Sequence, residues 1–125
     1  MDNVALIDMA TYARNRAYAP YSNKLVGVAL LTKNGKVYTS ANVENAVYPL
    51  SVCAEHSAFI KAIFDGEREF SKIAIVSDTE CMPCGACRQV MAEFCDEDFI
   101  VVTTDNGKIN EYKLFELLPN GFKLK

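Results

Sequence analysis

The stretch FIVVTTDNGKINEYKL, residues 99–114, decides the fold. A β-branched, apolar run from Phe99 to Thr104 meets a second β-prone run, Lys108 to Leu114, across Asp105-Asn106-Gly107. A link this short joins antiparallel neighbours, because a parallel pair needs a crossover of about a dozen residues or more. Working outward, KIAIVS (72–77) is a short continuous apolar run, the pattern of a strand covered on both faces. A helix is expected from about Pro83, since proline suits the first helical position, with Cys84, Cys87, Met91 and Phe94 on one face. Further upstream, CAEHSAFIKAIFDG (53–66) reads as a helix. It carries Ala54, Ala58 and Ala62 beside Phe59 and Ile63, and Gly66 stops it. LVGVALLT and VYTSANV flank KNGK, a hairpin signal. Leu6, Ala10, Ala13 and Ala17 recur at helical spacing behind the capping candidates Asp2 and Asn3, and that helix should end before Pro20. The order α-β-β-α-β-α-β-β predicts one α/β domain over residues 1–125. It is a three-layer α-β-α sandwich around a mixed five-stranded sheet with an antiparallel final strand pair.

Composition narrows the function. The 125 residues are half apolar with a formal charge of −3, which fits a globular chain and argues against a polyanionic nucleic-acid partner. The opening MDNVALIDMATYARNRAY breaks its apolar positions with acidic and polar residues, so neither a signal peptide nor a membrane span is expected. The expected compartment is the cytoplasm, where clustered thiols more often signify metal or catalysis than disulfides.

Five cysteines are present, and CMPCGACRQ (81–89) spaces three of them at intervals of three. An iron–sulfur run of this spacing requires a fourth cysteine where Met91 stands, and the next one, Cys95, lies about two helical turns on. Zinc suits the pattern better. A catalytic zinc takes three protein ligands and keeps one position open. Cys84 and Cys87 can converge from a first helical turn, and Cys53, at the start of another helix, can supply the third sulfur. The alternative is a closed, all-cysteine structural site with Cys81 in the fourth corner. Glu55 discriminates: two residues past Cys53, a carboxylate there addresses the space beside the metal and can move a proton.

CAE (53–55) together with PCGACRQ (83–89) resembles the zinc-dependent cytidine deaminases of the small tetrameric class. The similarity continues through AYAPYS (17–22), VGVALLTKNGKVY (26–38), NVENAVY (42–48) and ELLPNGF (116–122). It implies hydrolytic deamination of free cytidine or deoxycytidine to uridine or deoxyuridine plus ammonia, a step of pyrimidine salvage. Zinc is implied on Cys53, Cys84 and Cys87. Glu55 takes a proton from water, delivers it to ring nitrogen 3 and assists the leaving amine. Asn42 and Glu44 are implied to hydrogen-bond the ribose hydroxyls, and Ala54 to line the substrate. Tyr48 and Phe122 match positions that complete a neighbouring subunit's pocket, so a homotetramer is implied. The tight TDNG turn is similar to the free-nucleoside branch; the tRNA and polynucleotide deaminases insert a helix there.

The match breaks in three places. Three thiolates around a zinc dication leave one negative charge, and the family's three-cysteine members often set an arginine after the glutamate to offset it. Here that residue is His56, the chain's single histidine, which is either a donor to sulfur or an ordinary packed or surface residue. Arg88 is a second candidate donor. Lys24 stands where the family carries a base-packing phenylalanine, and can contact a shifted substrate or simply cover apolar surface with its stem. Cys81 occupies a shortened loop and is expected to be a free thiol. Competing functions are a related aminohydrolase with another aminated nucleoside or a blasticidin-type antibiotic as substrate, and a non-catalytic zinc-stabilised binding protein.

Overall fold

The computed structural model describes residues 1–124. Helix α1 (Asn3–Arg14) is followed by strands β1 (Gly27–Thr32) and β2 (Val37–Ala41), helix α2 (Ala54–Phe64) and strand β3 (Phe70–Val76). Helix α3 (Gly85–Phe94), strands β4 (Ile100–Asp105) and β5 (Lys108–Lys113) and the short helix α4 (Leu114–Leu117) complete the chain. The strands form one sheet in the order β2-β1-β3-β4-β5. Only β3 and β4 run parallel; the other neighbours are antiparallel. The mixed five-stranded sheet predicted from sequence is the sheet observed.

Alternation along the strands sends side chains to two cores. On one face Val28, Leu30, Ile73, Ile75 and Val101 meet Ala54, Ala58, Phe59, Ala62 and Met91 of α2 and α3. On the other, Ala29, Leu31, Ala74, Val76 and Val102 meet Leu6 and Ala10 of α1. Three layers result. Phe59 of α2 is the hub of the first core: its ring lies edge-on to Phe70 at 5.1 Å and stacks on Phe94 of α3 at 5.9 Å. These aromatic pairs couple the two helices whose N-termini build the site.

Three local features explain the element boundaries. At the last hairpin, Asn106 (φ 51°) and Gly107 (φ 83°) both lie in the left-handed region, the requirement of a two-residue type I′ turn, and Asp105 pairs with Lys108 across it. Gly27 lets α1 pack directly on β1, because a Cβ there would collide with the main chain of Ala10 and Arg14. Helix α1 stops at Arg14, earlier than the spacing of Ala17 predicts. The chain beyond it is recruited to the sheet edge, where Tyr18 N donates to Asn42 O at 2.9 Å and Glu44 N to Tyr18 O at 2.8 Å. Helix α3 likewise starts at Gly85, with Pro83 outside it and Cys84 as its cap. No helix among the described residues is long and apolar enough to cross a membrane.

Candidate metal centre

The register of the sheet brings the ends of three strands together, since Gly27 opens β1 opposite both Ala41, the end of β2, and Val76, the end of β3. From this edge one link leads to α2 and another to α3. Cys53 is the N-cap of α2 and Cys84 the N-cap of α3, and neither cap position holds the oxygen side chain that usually fills it. Cys87 lies in the first turn of α3 and is buried. The three sulfurs lie within 4.8 Å of one another. A tetrahedral zinc with metal–sulfur bonds of about 2.3 Å sets its sulfurs roughly 3.8 Å apart, so this donor set fits the ion. Both helix N-termini also direct free amides and partial positive charge at the sulfurs, which favours thiolates.

The Cys53 thiol is drawn down to about 7, chiefly by the hydrogen bond from Cys87 and also by Cys84, against burial and the nearby Glu55 charge. Cys87, as the donor, is pushed up by that same bond and by burial. Cys81 stands outside the cluster, half-buried against the α2–α3 core, and burial raises its thiol. Cys95 is buried in that core away from the site.

Glu55, in the first turn of α2, is only 5 % exposed. Burial raises its carboxyl above the ordinary carboxylate range, while its own amide, a hydrogen bond with Cys87 and the charge of Lys24 pull the other way. The Glu55 carboxyl lies within reach of Cys87, and Lys24 brings its charge to Glu55 and to Cys81. Ala54, between Cys53 and Glu55, is buried.

The remaining sequence-predicted residues fall around this centre. Asn42 holds the approach loop, its Oδ1 accepting from Val26 N at 2.9 Å and its Nδ2 donating to Lys24 O at 2.9 Å. Glu44 accepts from the amides of Tyr21 (3.0 Å) and Ser22 (3.1 Å) and from the Ser22 hydroxyl, which holds its carboxyl below the ordinary range. Arg88 donates to Pro83 O and Leu117 O, each at 2.8 Å, so these two bonds tie the Cys84 loop to α4. His56 is exposed on α2. Tyr48 and Phe122 are 73 % and 67 % exposed. Two further residues emerge only in three dimensions. Ser22 anchors Glu44, and Glu80 gathers three side-chain donors. The sequence signal for the second was a polar Thr103 inside an apolar strand run.

Three soft donors at paired helix N-termini, beside a buried carboxyl at the end of a mixed sheet, define a zinc-dependent hydrolytic enzyme of the α/β class. Residues 2–103 match the family model for the cytidine and deoxycytidylate deaminase zinc-binding region. The chain is 47 % identical to the cytidine deaminase of Sporosarcina psychrophila over 98 % of its own length and 92 % of the relative's. It is 50 % identical to that of Halalkalibacterium halodurans, over 98 % and 95 %. The crystal structure of cytidine deaminase from Burkholderia pseudomallei superposes with a TM-score of 0.93 at 46 % identity, covering 98 % of this chain and 100 % of that one. The chain belongs to the cytidine deaminase family.

Proposed function

We propose that the chain releases ammonia from free cytidine and deoxycytidine, with Glu55 as its proton carrier. The observation that supports this most is the buried Glu55 carboxyl beside the convergent sulfurs of Cys53, Cys84 and Cys87. Those thiolates would hold the zinc, whose contribution when bound is Lewis-acid activation of water. Glu55 accepts the proton that water loses as its oxygen bonds to carbon 4, and passes it to ring nitrogen 3. It then takes the remaining proton from the new carbon-4 hydroxyl and gives it to the exocyclic amine; as the carbon–oxygen double bond forms the carbon–nitrogen bond breaks, and ammonia departs. A carboxyl whose affinity for protons is raised by burial suits this shuttle, because it can hold the proton between steps.

Asn42 and Glu44 are the proposed ribose contacts. Glu44 lines a surface depression with Tyr21, Ser22, Tyr48 and Ser51, and Asn42 holds the loop that leads to it. Ala54 forms the floor beside Glu55. Tyr48 and Phe122, exposed aromatics, are proposed to complete a neighbouring subunit's pocket in a homotetramer, with Phe122 fixed by Gln89 Nε2 donating to its carbonyl at 2.6 Å. His56 is the proposed donor that tempers the thiolate charge. Arg88 contributes through the loop it holds. A cytoplasmic enzyme acting on free nucleosides, without a nucleic-acid partner, accords with the acidic net charge.

One observation favours a second reading, a substrate carrying an anionic group or a modified ring: Lys24 brings its charge to Glu55 and Cys81 where an aromatic wall would stand. Ammonia release from cytidine, deoxycytidine, their monophosphates and non-pyrimidine aminoheterocycles separates the two. Turnover of cytidine at least equal to every other member supports the first reading, and preference for an anionic or non-pyrimidine member replaces it.

A further inference from the structure

The segment joining β3 to α3, residues 77–84, has no helix or strand, and residues 77–83 make no loop main-chain hydrogen bond among those described. It nevertheless carries Cys84 to within 4.8 Å of Cys53 and Cys87. Side chains must hold it. Ser77 Oγ donates to Leu25 O at 2.8 Å at one end, and Arg88 grips Pro83 O at the other. Between them, Glu80 Oε2 accepts from Thr103 Oγ1 at 2.6 Å, Asn110 Nδ2 at 2.9 Å and the Tyr112 hydroxyl at 3.3 Å. Thr103 and Asn110 are register partners on β4 and β5, and Tyr112 lies two residues along β5, so all three donors share one face. Thr103 is fully buried on the face where Val101 packs against the helices. A hydroxyl there needs a partner, and the Glu80 carboxylate is that partner. Bonds to a charged acceptor are the stronger kind, and these tie the loop to the far edge of the sheet.

We propose that Glu80 is the positioning residue of the metal-ligand loop: anchored by Thr103, Asn110 and Tyr112, it sets the place from which Cys84 meets Cys53 and Cys87. The proposal rests on the reading that these three thiols hold zinc. Loss of the anchor leaves the ligands intact but lets Cys84 drift, so it acts on metal affinity and on coordination geometry. A merely structural role would lower stability and leave the affinity of the folded chain unmoved.

The test measures zinc affinity of the full chain by chelator competition, and the visible spectrum of the cobalt-substituted protein, both below each variant's unfolding transition. Glu80→Ala is expected to weaken zinc binding by about ten- to a hundredfold, the range for losing an outer support of a metal ligand, and to weaken the tetrahedral cobalt bands. Glu80→Gln, which keeps an acceptor for Thr103 and Tyr112, should recover part of the loss. Thr103→Val and Asn110→Ala, each deleting one donor, should show smaller losses, and they carry the test if Glu80→Ala does not fold. Wild-type affinity and spectrum in all variants that fold would overturn the role of Glu80 alone. A wild-type chain that takes up no zinc overturns the metal reading, and this proposal with it.

Discussion

Replacing Glu55 by glutamine tests the assigned chemistry with the least structural disturbance. The amide has the carboxylate's shape and keeps an acceptor oxygen, but cannot carry a proton between water, ring nitrogen and amine. Positioned acid–base groups contribute about 10²- to 10⁴-fold in rate, roughly 3–5 kcal/mol of transition-state stabilisation. Glu55 is 5 % exposed, so bulk water is poorly placed to substitute for it and the loss should fall toward the upper end. Zinc content should not change, because the three sulfurs form the donor cluster. Stability supplies a second readout. Burial raises the folded-state pKa of Glu55, so in the metal-free protein its contribution is full below the ordinary carboxylate range. That contribution fades as pH rises through the elevated value. Metal-free Glu55→Gln should therefore gain stability relative to metal-free wild type as pH rises through and above the ordinary carboxylate range. Ammonia release, metal analysis and denaturant titrations on one preparation report all three quantities. Full turnover in the glutamine variant refutes the proton-carrier role, and loss of zinc together with activity would make Glu55 a ligand instead.

Other expectations follow from packing and from the thiols. Phe59→Ala should cost about 3–5 kcal/mol in chemical denaturation, because it empties the centre of the aromatic cluster joining α2 to α3; a loss under 1 kcal/mol contradicts that packing. Gly27→Ala should cost at least about 1–3 kcal/mol, since the added methyl meets the α1 main chain, which cannot swing aside like a side chain. In the metal-free chain, alkylation of Cys53 should rise with a midpoint near pH 7, the thiolate being lost as pH falls below about 7. Cys95, whose thiol burial pushes up, should stay unreactive across the same range. Mass spectrometry of labelled peptides reads both, and equal labelling of the two contradicts the assigned environments.

Much of this was legible in the sequence because it is local. The Asn-Gly turn at 106–107 fixes an antiparallel pair whatever surrounds it, and the apolar run at 72–77 announces a central strand. The metal cysteines were readable because helix starts impose spacing: Cys84 and Cys87 sit three apart at one N-terminus, Cys53 at the other. What escaped depends on distant partners. The periodicity of Ala17 promised a longer first helix, but Tyr18 pairs with a strand extension more than twenty residues away. Glu80 drew no reading from the sequence, since its donors lie 23 to 32 residues further along and converge only once β4 and β5 are in register. Arg88 was a candidate sulfur donor by proximity in sequence, whereas the fold offers it two carbonyls.

The central claim is a zinc ion held by three sulfurs with one position left for water. X-ray absorption at the zinc edge of the purified, zinc-loaded chain measures that directly. The account predicts three sulfurs at about 2.3 Å and one lighter atom, oxygen or nitrogen, at about 2.0–2.2 Å. Four sulfurs, with Cys81 drawn into the shell, would contradict it.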